Sequence, residues 1–149
     1  MYLGYYESHC TQKNQLTFPS KFKELAGSEL LLTTWFENSL LILPTGAGKQ
    51  MLSQIISDTT SLLPEGRDLE RFFYGNAVTV RLDLKNRFVL PAHLKDFAKI
   101  GNDATFVGVG ERIELWDLEG FANYGKIREI QIRDTAINYY NRVFNQNRK

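Results

Sequence analysis

Residues 76–83, Asn-Ala-Val-Thr-Val-Arg-Leu-Asp, alternate apolar and polar side chains with a period of two, the pattern of a half-buried strand. Leu84-Lys85-Asn86 breaks the alternation, and Asn86 tolerates the left-handed backbone of a tight turn. Arg87-Phe88-Val89-Leu90 predicts the returning partner strand. Pro91 suits the opening of a helix, where its fixed φ fits and its missing N–H is not needed. Leu94, Phe97 and Ala98 share a face of that helix, which is expected to run to about Ile100 and to close at Gly101. Ala104–Gly108 and Arg112–Trp116 predict two further strands around a glycine-rich bend.

The same order occurs earlier in the chain. Lys13–Ala26 lies over Lys85–Ala98 at an offset of 72, with Lys, Asn, Pro, Lys and Ala recurring identically. Glu37–Leu43 is echoed by Glu111–Trp116 after a slip of one residue, as a short loop insertion would produce. Pro19 and Gly27 open and close the first short helix. Two copies of one mostly-β unit of about fifty residues are therefore predicted. The expected segments are a first repeat at 1–48, a helical linker at 49–74, a second repeat at 75–118, and a C-terminal helix with a basic tail at 119–149. In the linker, Met51, Leu52, Ile55 and Ile56 have helical spacing, and Pro64-Glu65-Gly66 precedes a second helix containing Leu69, Phe72 and Phe73. Beyond Leu118, Ile127, Ile130, Ile137, Tyr140 and Phe144 can share a stripe on one long helix, expected to pack against its own domain, with a partner subunit as the sharper alternative. The fold class is α+β.

Composition adds limits. With 149 residues, 43% of them hydrophobic and 23% charged, the chain reads as globular rather than disordered or membrane-embedded. The net charge of +1 argues against a chain coated in basic residues. It is unevenly spread: residues 1–74 carry 6 basic and 8 acidic side chains, residues 75–149 carry 12 and 9, and 6 of those 12 lie between Lys126 and Lys149. A lone Cys10 forms no internal disulfide, and Met1–Glu7 lacks the basic and apolar regions of a signal peptide. The longest apolar run, Leu40–Leu43, is strand-sized, so no membrane span and a cytoplasmic location are expected.

Catalytic constellations are weak. Thr45-Gly46-Ala47-Gly48-Lys49-Gln50 superficially suggests a phosphate loop, but Leu43 and Gln50 hold the places of its first Gly and its Ser or Thr; a flexible turn into a helix is expected instead. His9, Cys10 and His93 lack metal-ligand spacing, and a buried cysteine with two surface histidines is the simpler reading. No paired carboxylates stand out from an ordinary acidic surface: Asp68 and Glu70 lie two apart, on different faces of a helix. The chain is expected to be no enzyme, with no cofactor, no metal and no small-molecule substrate.

The remaining candidate is the hairpin Arg81–Arg87. Arg81, Asp83, Lys85 and Arg87 alternate, so their polar tips are expected on one face of a two-stranded ribbon. Such a ribbon fits a DNA major groove, where Arg takes guanine O6 and N7 and Lys meets phosphate. Asp83 would hold the Arg87 fork in place. The same residues also fit an ordinary hairpin with a cross-strand ion pair contributing about 0–1 kcal/mol.

The duplicated unit, the Asp83-x-x-x-Arg87 hairpin before Phe-Val-Leu-Pro, and the ending Arg112-Ile113-Glu114-Leu115-Trp116-Asp117 together resemble the MraZ family. Met1-Tyr2-Leu3-Gly4 and Phe72-Phe73-Tyr74-Gly75-Asn76-Ala77 are similar too, and the resemblance runs from Met1 to about Tyr124. It implies two tandem swapped-hairpin, AbrB-like β-barrel repeats in a bacterial transcriptional regulator. It also implies a ring-like homo-oligomer on double-stranded DNA, at short direct repeats upstream of its own division and cell-wall gene cluster, hence near the nucleoid. Carried onto this chain, the DNA-facing set is Arg87, Lys85, Arg81 and Asn86, with Asp83 orienting Arg87, and Lys13, Asn14 and Gln15 in the first copy. That copy departs from the pattern: Thr11 and Gln15 stand where the family has Asp and Arg. The second hairpin is therefore expected to dominate. The alternative is an oligomeric protein-interaction module of the same fold that has lost most DNA binding.

Overall fold

The structure, a computed structural model, describes residues 1–56 and 60–145. Its strands are Tyr2–His9 (β1), Gln15–Thr17 (β2), Glu29–Thr34 (β3), Leu40–Pro44 (β4), Val78–Arg81 (β5), Arg87–Val89 (β6), Asp103–Gly110 (β7) and Ile113–Asp117 (β8). Its α-helices are Ser20–Ala26 (α1), Thr45–Ile55 (α2), Pro64–Phe73 (α3), Ala92–Ala98 (α4) and Leu118–Phe144 (α5). Met1–Leu118 forms one compact unit and Glu119–Lys149 a second. No helix of the described residues is long and apolar enough to cross a membrane.

The two sequence repeats interleave. One antiparallel sheet runs β1-β7-β8-β4-β3-β5, and a separate ribbon joins β2 to β6. The first strand of each repeat thus pairs with the third strand of the other: β1 with β7, and β5 with β3. The last strands, β4 and β8, pair with each other through Leu40↔Leu115 and Ile42↔Ile113, which match under an offset of 73 and so carry the one-residue slip. In the ribbon, Gln15↔Val89 and Thr17↔Arg87 are exchanged by the offset of 72, and Leu16↔Phe88 lies on the pseudo-twofold axis. The α+β class stands. The barrel is not closed by strand pairing, however, because β1 and β5 end the strand order without pairing to each other.

Alternation decides which side chains make the core. Leu16 and Phe88 point inward from the ribbon, and Phe18, Phe22, Leu90 and Leu94 follow them into one cluster with Leu30, Leu32, Leu40, Ile42, Phe106, Ile113 and Leu115. Phe106 meets the edge of Phe18 at 5.5 Å between ring centroids. Burying each such side chain contributes about 1.5–3 kcal/mol, so the ribbon is fastened mainly by its inward residues rather than by its short ladder. On the linker side, Thr33 and Thr34 hydroxyls donate to the carbonyls of Phe73 and Phe72, which ties the end of α3 to β3.

Several expectations need correction. The strand after the 83–87 turn pairs with β2 instead of folding back on β5. Only the Asp83 amide closes on the Arg87 carbonyl, at 3.0 Å, while the Leu82 amide already donates to Ser28, so the two arms diverge. Helix α4 stops at Ala98, because Lys99 itself turns left-handed (φ 54°); the Gly101 amide instead donates to Asp117 Oδ1 at 3.0 Å. Residues 45–50 are the first half of α2, not a flexible turn, and a Cβ on Gly48 would lie 3.2 Å from the Leu31 side chain. No residue of α5 is buried, and Ile127, Ile130, Ile137, Tyr140 and Phe144 are all exposed. Arg148 and Lys149 of the expected basic tail, and residues 57–59 of the linker, lie outside the described residues.

Candidate nucleic-acid interface

The site grows from two turns of the same build. In the second, Asn86 adopts φ 62° and its amide donates to the Asp83 carbonyl. Asp83 Oδ1 accepts the amides of Lys85 and Arg87, each at 2.8 Å. Its other oxygen, Oδ2, accepts Arg87 Nε at 2.9 Å. The Arg87 amide foremost, then the Arg87 guanidinium and the Lys85 amide, outweigh desolvation and hold the Asp83 carboxyl below its ordinary range. Anchoring through Nε leaves the two terminal amino groups, the edge that matches guanine, unused by this pair.

The first turn repeats that backbone with neutral chemistry. Asn14 adopts φ 61°, the Thr11 amide donates to the Gln15 carbonyl at 3.1 Å, and the Asn14 amide donates to the Thr11 carbonyl at 2.9 Å. Thr11 Oγ1 accepts the Gln15 amide at 3.0 Å, in the place of Asp83 Oδ1. The turns also lock onto one another: Phe18 N–H donates to the Asn86 carbonyl at 2.7 Å, and Leu90 N–H donates to the Asn14 carbonyl at 2.8 Å.

Of the residues singled out by sequence, Asp83, Lys85, Asn86 and Arg87 stand together on the second turn, and Lys13, Asn14 and Gln15 on the first. Asn86 Nδ2 donates to Ser20 Oγ at 3.4 Å, and Asn14 Oδ1 accepts Lys95 Nζ at 2.9 Å, so both side chains serve the scaffold. Lys13 and Lys85 are exposed. Arg81 is placed elsewhere: it ends β5 in the large sheet, in register with Glu29, and does not share the ribbon face with Arg87. That face is instead drawn from both repeats, as Gln15, Thr17, Arg87 and Val89, the outward partners of Leu16 and Phe88. Thr17 and Val89 were missed by sequence reasoning, although their alternation with Leu16 and Phe88 was visible. A cleft of about 700 Å³ beside the ribbon is lined by Gln15, Thr17, Ser20, Lys21 and Arg87, among others.

The remaining candidates stay apart. Cys10 is buried, and the exposed His9 Nδ1 lies 3.3 Å from Asp103 Oδ1. His93 Nε2 lies 3.1 Å from the Asn76 carbonyl oxygen. Among the described residues no group of three or more His, Cys, Asp and Glu could hold a metal ion.

Known proteins resemble this chain over most of its length. A family model described as "MraZ protein, putative antitoxin-like" matches residues 73–137, which include the second hairpin. A protein of Caldanaerobacter subterraneus subsp. tengcongensis named "Transcriptional regulator MraZ" is 31% identical over 91% of this chain and 94% of its own length. Its namesake in Desulfitobacterium hafniense is 32% identical over 87% and 90% respectively. The one in Syntrophomonas wolfei is 29% identical over 93% and 96%.

Proposed function

We propose, from the premise that this chain belongs to the MraZ family, that it is a transcriptional regulator which binds double-stranded DNA through the β2–β6 ribbon and catalyses no reaction. It acts at short direct repeats upstream of a division and cell-wall gene cluster, in the cytoplasm at the nucleoid, as a ring-like homo-oligomer. The observation that carries this reading is the Asp83–Arg87 pair. A guanidinium held by one edge on an exposed ribbon offers its other edge to a base at little further entropic cost. Lys85 and Lys13 at the turn tips supply phosphate contacts. So few placed charges give weak affinity per subunit, and a ring compensates by engaging several repeats at once.

The test is salt-titrated binding of the purified protein to the DNA upstream of its own gene. Steep linear loss of affinity with log salt is expected, since each neutralised phosphate contributes a slope of about −0.9. A flat response with intact oligomers would favour the protein-interaction module instead.

A further inference from the structure

The first hairpin lacks the ionic pair of the second and the bond from its Lys85 amide to the carboxylate, but keeps the left-handed asparagine and the bonds that close the turn. The two left-handed asparagines differ by one degree in φ, at 61° and 62°. The bonds that close each turn agree closely: 3.1 and 3.0 Å for residue 11 or 83 onto the carbonyl four residues on, and 3.0 and 2.8 Å for the side-chain cap. That backbone serves the fold as well, because each turn's asparagine carbonyl accepts an amide from the other repeat; what distinguishes the first hairpin is the chemistry of its fifth residue.

The chemistry of the departure is also internally consistent. Asp83 with Arg87 is a balanced ionic pair, and Thr11 with Gln15 is a neutral one. Thr11 retains the function of the carboxylate that the turn requires, an acceptor for the amide four residues on. It lacks the charge, which only a guanidinium requires. The turn bonds involving Gln15 use its backbone N–H and C=O, so its side chain is not spent on the turn. Gln15 sits on the outward face of the ribbon, one diagonal step from Arg87, and both line the same cleft.

We infer that the first hairpin is a second reader of base edges with a different preference. The carboxamide of Gln15 takes adenine N6 and N7, and the guanidinium of Arg87 takes guanine O6 and N7. One protomer therefore reads an asymmetric element. Diagonal neighbours on such a ribbon lie about 7–8 Å apart. That is about two base-pair steps at roughly 3.4 Å each, so a G·C and an A·T position are required about two steps apart. Thr17 and Val89 stand beside the two readers with methyl groups for thymine. This rests on the DNA-binding reading above.

The test is selection of binding sites from a randomised duplex library by the full chain and its variants. The wild type is expected to enrich sites pairing a G·C with an A·T position. Gln15→Met, which keeps length and leaves the backbone bonds intact, is expected to lose discrimination at the A·T position by about 5- to 150-fold while keeping the G·C position. Thr11→Asp with Gln15→Arg is expected to convert that position to G·C. Wild-type enrichment of G·C at both positions, or an unchanged profile for Gln15→Met, overturns the inference and leaves DNA binding standing. Failure of the wild type to enrich any sequence overturns the regulatory reading, and this inference with it.

Discussion

Arg87 is held twice by Asp83: its backbone N–H donates to Oδ1 at 2.8 Å and its side-chain Nε donates to Oδ2 at 2.9 Å. The turn and the Arg87 guanidinium are thus positioned by the same carboxylate. Arg87→Ala removes the guanidinium but leaves the backbone bond to Oδ1. It is expected to weaken binding to upstream DNA by at least the about 1–3 kcal/mol of one bidentate base contact, and by more in a multivalent ring. Gel shift measures this, with size-exclusion chromatography expected to show unchanged assembly. Wild-type affinity in the variant would remove Arg87 from the interface.

The same carboxylate is expected to make the hairpin acid-sensitive. Folding holds the Asp83 carboxyl below its ordinary range, so its contribution is fully present above the unfolded pKa and is lost as pH falls through the lower folded value. An NMR titration of the Asp83 side chain is expected to place its midpoint below that of an unstructured aspartate. The protection of the Lys85 and Arg87 amides against exchange, relative to an unstructured chain at the same pH, should fall in step with protonation. Asp83→Asn should abolish that coupling; a midpoint at the ordinary value would contradict the hydrogen-bonded geometry.

Two glycine substitutions should act in opposite directions. A Cβ on Gly108 would lie 2.5 Å from the Leu3 nitrogen and the Tyr2 carbonyl carbon, where β7 meets β1. Gly108→Ala is expected to cost about 1–3 kcal/mol as the ladder is forced apart. Gly46, in the first turn of α2, has nothing within 4 Å of the same atom. Gly46→Ala should stabilise by about 0.4–1 kcal/mol through the unfolded chain. Urea denaturation of both variants with equal slopes would measure the contrast.

Leu16 is buried opposite Phe88 at the pseudo-twofold axis of the ribbon. Leu16→Ala is expected to cost about 2–5 kcal/mol. Because Phe18 and Leu90 amides each bond to the other repeat's turn, hydrogen exchange should show both hairpins loosening together. Loosening confined to the first hairpin would mean that the two are not one cooperative element.

How far the sequence carried the fold can be seen residue by residue. Asn86 announced its turn because a left-handed backbone has few tolerant residues, and the 72-residue offset announced the duplication that places Asn14 in the matching position. The exchange of partners between repeats was not readable by the same means. Alternation says which face of β6 is buried, but Gln15–Thr17 and Val78–Arg81 are equally suitable neighbours, and only the packing of Leu16 against Phe88 decides between them. At the site, Asp83 and Arg87 were legible as a pair. Thr11 looked like a lost anchor because its hydroxyl lacks a charge; that it keeps the carboxylate's backbone bond is a matter of distance, 3.0 Å to the Gln15 amide. Lys99 escaped because a lysine at positive φ has no sequence signature, whereas Gly101 two residues later offered a plausible one.

The pairing of β1 with β7 also has a consequence for synthesis. Tyr2 is synthesised more than a hundred residues before its ladder partner, Gly110. At about 5–20 residues per second, the nascent strand waits for seconds with its edge unpaired and Tyr2, which the fold buries, still exposed to solvent. In the cell, the yield of folded protein therefore depends on how that first strand is shielded while the second repeat is being made.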